Sequence, residues 1–295
     1  LLYPTVVSGE EKVMKDFVSK TIKNNYEIVC SLYGNVEYEV KEKHGEKGLK
    51  LFYQKRGWNL KDHPAIMGPR VNTTRTLEYQ FFGSLFAFKD KIIGKGNDEI
   101  VIAESREVIY DGKQNRQIYY KVEGSTGYNL DSKDISHEFT GDGIGSILAP
   151  AETPWGIALM SAGAGVKEMF LDGLEKNVFS NDAFSMEWDK SLKPNRFIKA
   201  HNKKENYSII FDSASNCLPI GFEMVRDDTS YHGEIKYKKC VVDKYEFFYP
   251  EQCTYKTYFV SNGKHLVMES TYMLKKAVFL KEPPTASFKL DRIPP

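Results

Sequence analysis

From Asn195 to Pro295, apolar and polar positions alternate with the period of two that marks a half-buried strand. Turn residues interrupt the alternation at short intervals. NRFIKAH, NYSIIFD, LPIGFEMVR, GEIKYKKCVV, EFFYPEQCTYKTYFV and HLVMESTYMLKKAVF read as successive antiparallel strands, and SFKLDRIPP closes the chain. Ser213 to Asn216 forms a polar turn between two of them, and Asn262-Gly263 between two apolar runs is a hairpin signal. The reversal near Asp243 to Glu246 places Cys240 and Cys253 on neighbouring strands.

The first half mixes two periods. Ser8 to Glu11 has the form of a capping box, and Val13, Phe17, Val18, Thr21 and Ile22 share one helical stripe, which predicts a helix over about 9–24. Tyr26, Ile28, Cys30 and Leu32 then alternate as a strand, continued past Gly34-Asn35 by Val36, Tyr38 and Val40. Leu49 to Tyr53 reads as a second strand, and Gly57 to Thr73 as a long loop. Leu77 to Phe88 reads as an aromatic strand with a bulge at Gly83. Shorter strands follow at Glu99 to Ala103, Glu107 to Tyr110 and Gln117 to Val122, with Asp111-Gly112 as a hairpin turn. The pattern then turns helical. Thr153 and Pro154 start a stripe of Trp155, Leu159, Ala162, Val166, Phe170 and Leu174, which Gly163 and Gly165 break into two short helices.

No repeat, low-complexity tract or flexible linker divides the chain, so residues 1–295 read as one domain. The predicted class is mainly β (α+β). A single curved antiparallel sheet of about ten or more strands forms a half-barrel around an N-terminal helix and a helical insertion at about 150–177.

Composition sharpens this. The 18 Tyr and 18 Phe suit pleated, half-buried surfaces. With 41 Lys and Arg against 40 Asp and Glu, the net charge is +1, which argues against a nucleic-acid or polybasic membrane surface. No apolar run reaches the roughly 20 residues that span a bilayer, and a start at Leu1 suggests a removed leader or a trimmed chain. Cys30, Cys217, Cys240 and Cys253 contain no C-x-x-C. They read either as buried thiols or as including a Cys240–Cys253 disulfide, which requires Cα atoms within about 7 Å. His44, His63, His137, His201, His232 and His265 are scattered without ligand spacing, so no metal is expected. The stretch G-D-G-I-G-S at Gly141 to Ser146 lacks the lysine of a phosphate-binding loop, and no G-x-S-x-G elbow occurs. No catalytic residue, enzymatic activity or cofactor is therefore expected.

The strand–turn–strand IIFDSASNCLPIGFEMV, the run FFYPEQCTYKTYFVSNGKHLVMEST and the terminal ASFKLDRIPP resemble the LolA/LolB-like superfamily of half-barrel proteins related to outer-membrane lipoprotein carriers. The order of elements matches from about Glu11 to Pro295. The resemblance implies a periplasmic or cell-envelope protein, non-enzymatic, that holds a lipidic or acylated ligand on the concave apolar face of the half-barrel. Trp155, Leu159, Met160, Val166 and Phe170, apolar on more than one helix face, are the candidate ligand-binding residues. The second reading is an accessory subunit of an envelope complex, with its interior filled by side chains.

Overall fold

The computed structural model describes residues 5–57, 72–83, 85–96, 99–120, 135–142, 174–189, 196–202, 204, 206–261, 263–284 and 288. In chain order the elements are α1 (Thr5–Cys30), β1 (Tyr33–His44), α2 (Glu46–Lys55), β2 (Asn72–Phe82), β3 (Leu85–Gly96), β4 (Glu99–Tyr110), β5 (Gln114–Tyr120) and β6 (Ile135–Asp142). They continue with β7 (Phe184–Trp188), β8 (Phe197–Asn202), β9 (Tyr207–Asp212), β10 (Leu218–Arg226), β11 (Thr229–Val242), β12 (Tyr245–Phe259) and β13 (His265–Leu280). Among the described residues, thirteen strands form one sheet in the order β6-β5-β4-β3-β2-β1-β13-β12-β11-β10-β9-β8-β7. It is antiparallel and mainly β, as the alternation predicts, and its edges β6 and β7 do not pair with each other. The packing divides into two compact units, residues 1–29 with 152–255 and residues 30–151 with 256–295.

In the first unit α1 is longer than expected. It is already helical at Thr5, so Ser8 is not its cap, and it runs on through Tyr26–Cys30, where a strand was predicted. Val18, Ile22, Asn25 and Val29 are each fully buried, a continuous stripe at helical spacing. Asn25, a polar residue, interrupts that stripe on paper but not in space. Its amide acts as a substitute strand. The Asn25 Nδ2–H donates to the Phe248 carbonyl (3.0 Å), and the Phe248 N–H donates to Asn25 Oδ1 (2.8 Å). Asn216 Nδ2–H adds a bond to the same oxygen at 3.1 Å. The turn between β9 and β10 is set by Asp212. Its carboxylate accepts two bonds from Arg196 (3.0 and 2.8 Å), one from the Ala214 N–H (3.0 Å) and one from the Ser215 hydroxyl (3.2 Å).

In the second unit two predicted features change. Leu49 to Tyr53 belongs to a helix, α2, because a short apolar run fits either period and here packing decides. That packing is close. A Cβ on Gly45 or Gly48 would overlap the backbone carbonyl of Leu266. Gly83 is a hairpin turn at φ 59° rather than a bulge, so Leu77 to Phe88 splits into β2 and β3. The fold also places phenylalanines over glycines. Phe81 lies on its cross-strand partner Gly34, and in the first unit Phe222 lies on Gly233.

Cys240 and Cys253 do fall on neighbouring strands, β11 and β12. The turn between those strands is Asp243-Lys244, with Asp243 at φ 52°. Val242 therefore faces Tyr245, and Cys240 sits about 20 Å short of Cys253 along the hairpin. The proposed disulfide is not formed, and all four cysteines are free thiols.

Candidate functional site

Two surfaces carry chemistry. The first is the core face of the unit built on β1–β5 and β13. Register places its side chains in rows running across the strands. One row holds Gly34, Phe81, Phe86 and Tyr110, and the next holds Val36, Tyr79, Phe88 and Val108. Tyr38, Leu77 and Asp90 follow, then Tyr272, Val40 and Arg75. Rows on one face are about 7 Å apart. The aromatic members touch, with Tyr79 stacked on Phe88 (centroids 5.0 Å apart) and Tyr38 edge-on to Tyr79 (6.5 Å). The face thus grades from aromatic to charged within four rows.

At the charged end, Arg75 donates from Nη2 to Asp90 Oδ2 (2.6 Å) and from Nε to Oδ1 (3.3 Å), and its Nη1 stands 3.9 Å from Glu42 Oε1. Asp90 is only 3% exposed. Burial pulls the Arg75 guanidinium down, but the hydrogen bonds and charge of Asp90 outweigh it and hold Arg75 protonated above its ordinary range. A buried ion pair so placed is costly to break, because either partner alone is an uncompensated charge.

The second surface lies in the other unit, on the face of β8–β11 opposite its core. Two register rows form a trough, one of His201, Ser208, Glu223 and His232, the other of Lys199, Ile210, Gly221 and Glu234. Gly221 leaves the centre of the second row without a side chain. The hollow is about 400 Å³, and Asp189 also lines it. At its β11 side, Ser230 Oγ lies 2.6 Å from His232 Nε2, and His232 Nδ1 lies 3.2 Å from Glu223 Oε1. Sequence reasoning passed over this cluster. S-x-H on one strand was visible, but the carboxylate that completes it comes from register with β10.

Burial holds the thiols of Cys217, Cys240 and Cys253 protonated. Burial pushes the Cys217 thiol up to about 11, partly opposed by a hydrogen bond with Thr21, and burial raises Cys253 further. Among the described residues, no cluster of His, Cys, Asp and Glu could hold a metal ion. No described helix is long and apolar enough to cross a membrane. Trp155, Leu159, Met160, Val166 and Phe170 lie outside the described residues, as does most of the expected helical insertion. Of that insertion, Leu174 and the π-helical turn Glu175–Phe179 are described; Leu174 and Val178 are buried, and Glu175 Oε2 accepts a bond from Ser19 of α1 at 2.7 Å.

No protein-family model matches the chain, and no curated protein does. Solved structures do align. A DUF1329 family protein from Desulfovibrio piger is similar at 9% identity and a TM-score of 0.43, over 96% of this chain and 98% of that one. A β-barrel-like protein of the domain of unknown function DUF1849 from Brucella abortus is similar at 11% identity and a TM-score of 0.28, over 84% and 98%. At these values the likenesses assign neither family nor activity.

Proposed function

We propose that this chain is a cell-envelope binding protein that takes a lipidic or acylated ligand on the core face of β1–β4. The observation that carries this is the gradient along that face. Aromatic rows suit an acyl chain, and the Arg75–Asp90–Glu42 cluster suits the polar head at its end. Each CH₂ removed from water contributes about 0.8 kcal/mol, so a long chain offsets the cost of ordering it. Assignment to the envelope rests on the resemblance of the strand–turn motifs to the LolA/LolB-like superfamily. Binding rather than chemistry is the role of this face.

The test is titration with a fatty acid or a lysophospholipid, following tryptophan emission, with lipid retention read by native mass spectrometry. Saturable binding at micromolar concentration is expected, and Arg75→Gln should weaken a charged-head ligand more than a neutral acylglycerol. The second reading is an accessory subunit with a filled interior. It draws on the burial of the same rows, in which Phe81, Phe86 and Tyr79 are 1, 0 and 4% exposed. No spectral change and no retained lipid would select it.

A further inference from the structure

The Ser230–His232–Glu223 cluster has the connectivity of a nucleophile, a base and an orienting carboxylate, and the ligand-binding reading makes no use of it. Ser230 and His232 are two positions apart on β11, so both side chains stand on one face of the strand. Glu223 is the cross-strand partner of His232. The contacts run in sequence: Ser230 Oγ to Nε2 at 2.6 Å, then Nδ1 to Glu223 Oε1 at 3.2 Å. A carboxylate at Nδ1 favours the tautomer that carries its proton there. With its proton on Nδ1, the imidazole donates to Glu223 and leaves the Nε2 lone pair to accept the serine hydroxyl proton; the other tautomer would aim a lone pair at the carboxylate. Activation of a serine by histidine uses this order of partners, whatever the fold that supplies it. Ser230 is 5% exposed and stands opposite Val225, one register row beyond His232 and Glu223, so it borders the trough that those two residues line.

We propose that Ser230 is an acyl-accepting nucleophile for a small carboxylic ester bound at the β10–β11 edge of the trough, with His232 as general base and acid and Glu223 as a positioning residue. Ser230 Oγ bonds to the ester carbonyl carbon as its proton passes to His232 Nε2. The bond from that carbon to the alcohol oxygen then breaks, and the leaving alkoxide takes the proton from Nε2. Water reverses the exchange: it gives a proton to Nε2, its oxygen bonds to the acyl carbon, and Ser230 leaves with the proton, releasing the acid. Protons and electron pairs balance with water as the only co-reactant.

The experiment treats the full chain with a fluorophosphonate probe, reads intact mass and the labelled peptide, and follows p-nitrophenyl acetate hydrolysis in parallel. One adduct on Ser230 is expected, absent from Ser230→Ala. His232→Gln should slow labelling about 100-fold or more. Glu223→Gln should slow it about 10-fold and Glu223→Asp recover part of the rate, a rescue that a merely structural carboxylate would not give. Absence of an adduct on Ser230 in the unaltered protein overturns the proposal. So does unchanged labelling in a His232→Gln protein that keeps its far-UV spectrum. Should that variant lose its fold, the Glu223→Gln and Glu223→Asp pair decides: equal rates in both and in the unaltered protein overturn it. The outcome is separate from lipid retention, because the trough shares no residue with the core face of β1–β4.

Discussion

At the scale of single residues, the polar groups that matter are buried ones that make several bonds each. Asn25 is fully buried and serves both backbone groups of Phe248 as well as Asn216. Asn25→Ala strands those partners, and the expected loss is about 2–4 kcal/mol of unfolding free energy in a urea titration. A loss below about 0.5 kcal/mol would mean that water replaces the amide. Asp212 gives a pH dependence. Burial raises its carboxyl, but the Arg196 guanidinium, the Ala214 amide and the Ser215 hydroxyl together hold it below the ordinary aspartate value. A carboxylate depressed on folding stabilises above its unfolded value, about 3.9, and that stabilisation disappears as pH falls through the lower folded value. Asp212→Asn should therefore be less stable than the unaltered protein at neutral pH and lose less stability between about pH 5 and pH 2. Parallel acid limbs for the two proteins would refute this.

At the scale of elements, glycines mark where two backbones or a ring and a backbone approach. The Cβ of Gly48→Ala would meet the Leu266 carbonyl, a backbone group whose neighbour Val267 accepts a bond from the Gly45 N–H at 3.1 Å, so shortening a side chain cannot relieve the clash. The Cβ of Gly233→Ala would meet the Phe222 ring, a side chain that a second substitution can shorten. Overpacking of this kind costs about 1–3 kcal/mol. Thermal melts should show Gly233→Ala largely rescued by Phe222→Leu and Gly48→Ala unimproved by shortening the Leu266 side chain; rescue of both would place the obstruction in side chains alone. The same elements explain what was legible. From Phe197 to Leu280 the alternation reads directly, because each strand has one buried and one wet face. Tyr26 to Cys30 was misread because Asn25, although polar, occupies a core position, and Leu49 to Tyr53 because five residues fit either period. Tyr79 with Phe81 and Phe86 with Phe88 share the core face of β2–β3 although their parities differ, because Gly83 turns the chain between them; 77–88 taken as one bulged strand hid that turn.

At the scale of the molecule, sites were less legible than strands, since each depends on register between distant segments. Arg75 meets Asp90 across a hairpin, and Glu223 meets His232 across another; neither pair has a spacing that announces it. Each compact unit, moreover, is assembled from two stretches of chain separated by the stretches of the other. That interleaving has a consequence in time. Asn25 and Phe248 are 223 positions apart, so at synthesis rates of about 5–20 residues per second α1 leaves the ribosome roughly 10–45 s before its partner on β12 exists. Throughout that interval Val18, Ile22 and Val29 have no strand from the far end of the chain to cover them, and any holding factor that shields apolar helices has its longest opportunity there. Of the elements described, the earliest made is among the last seated.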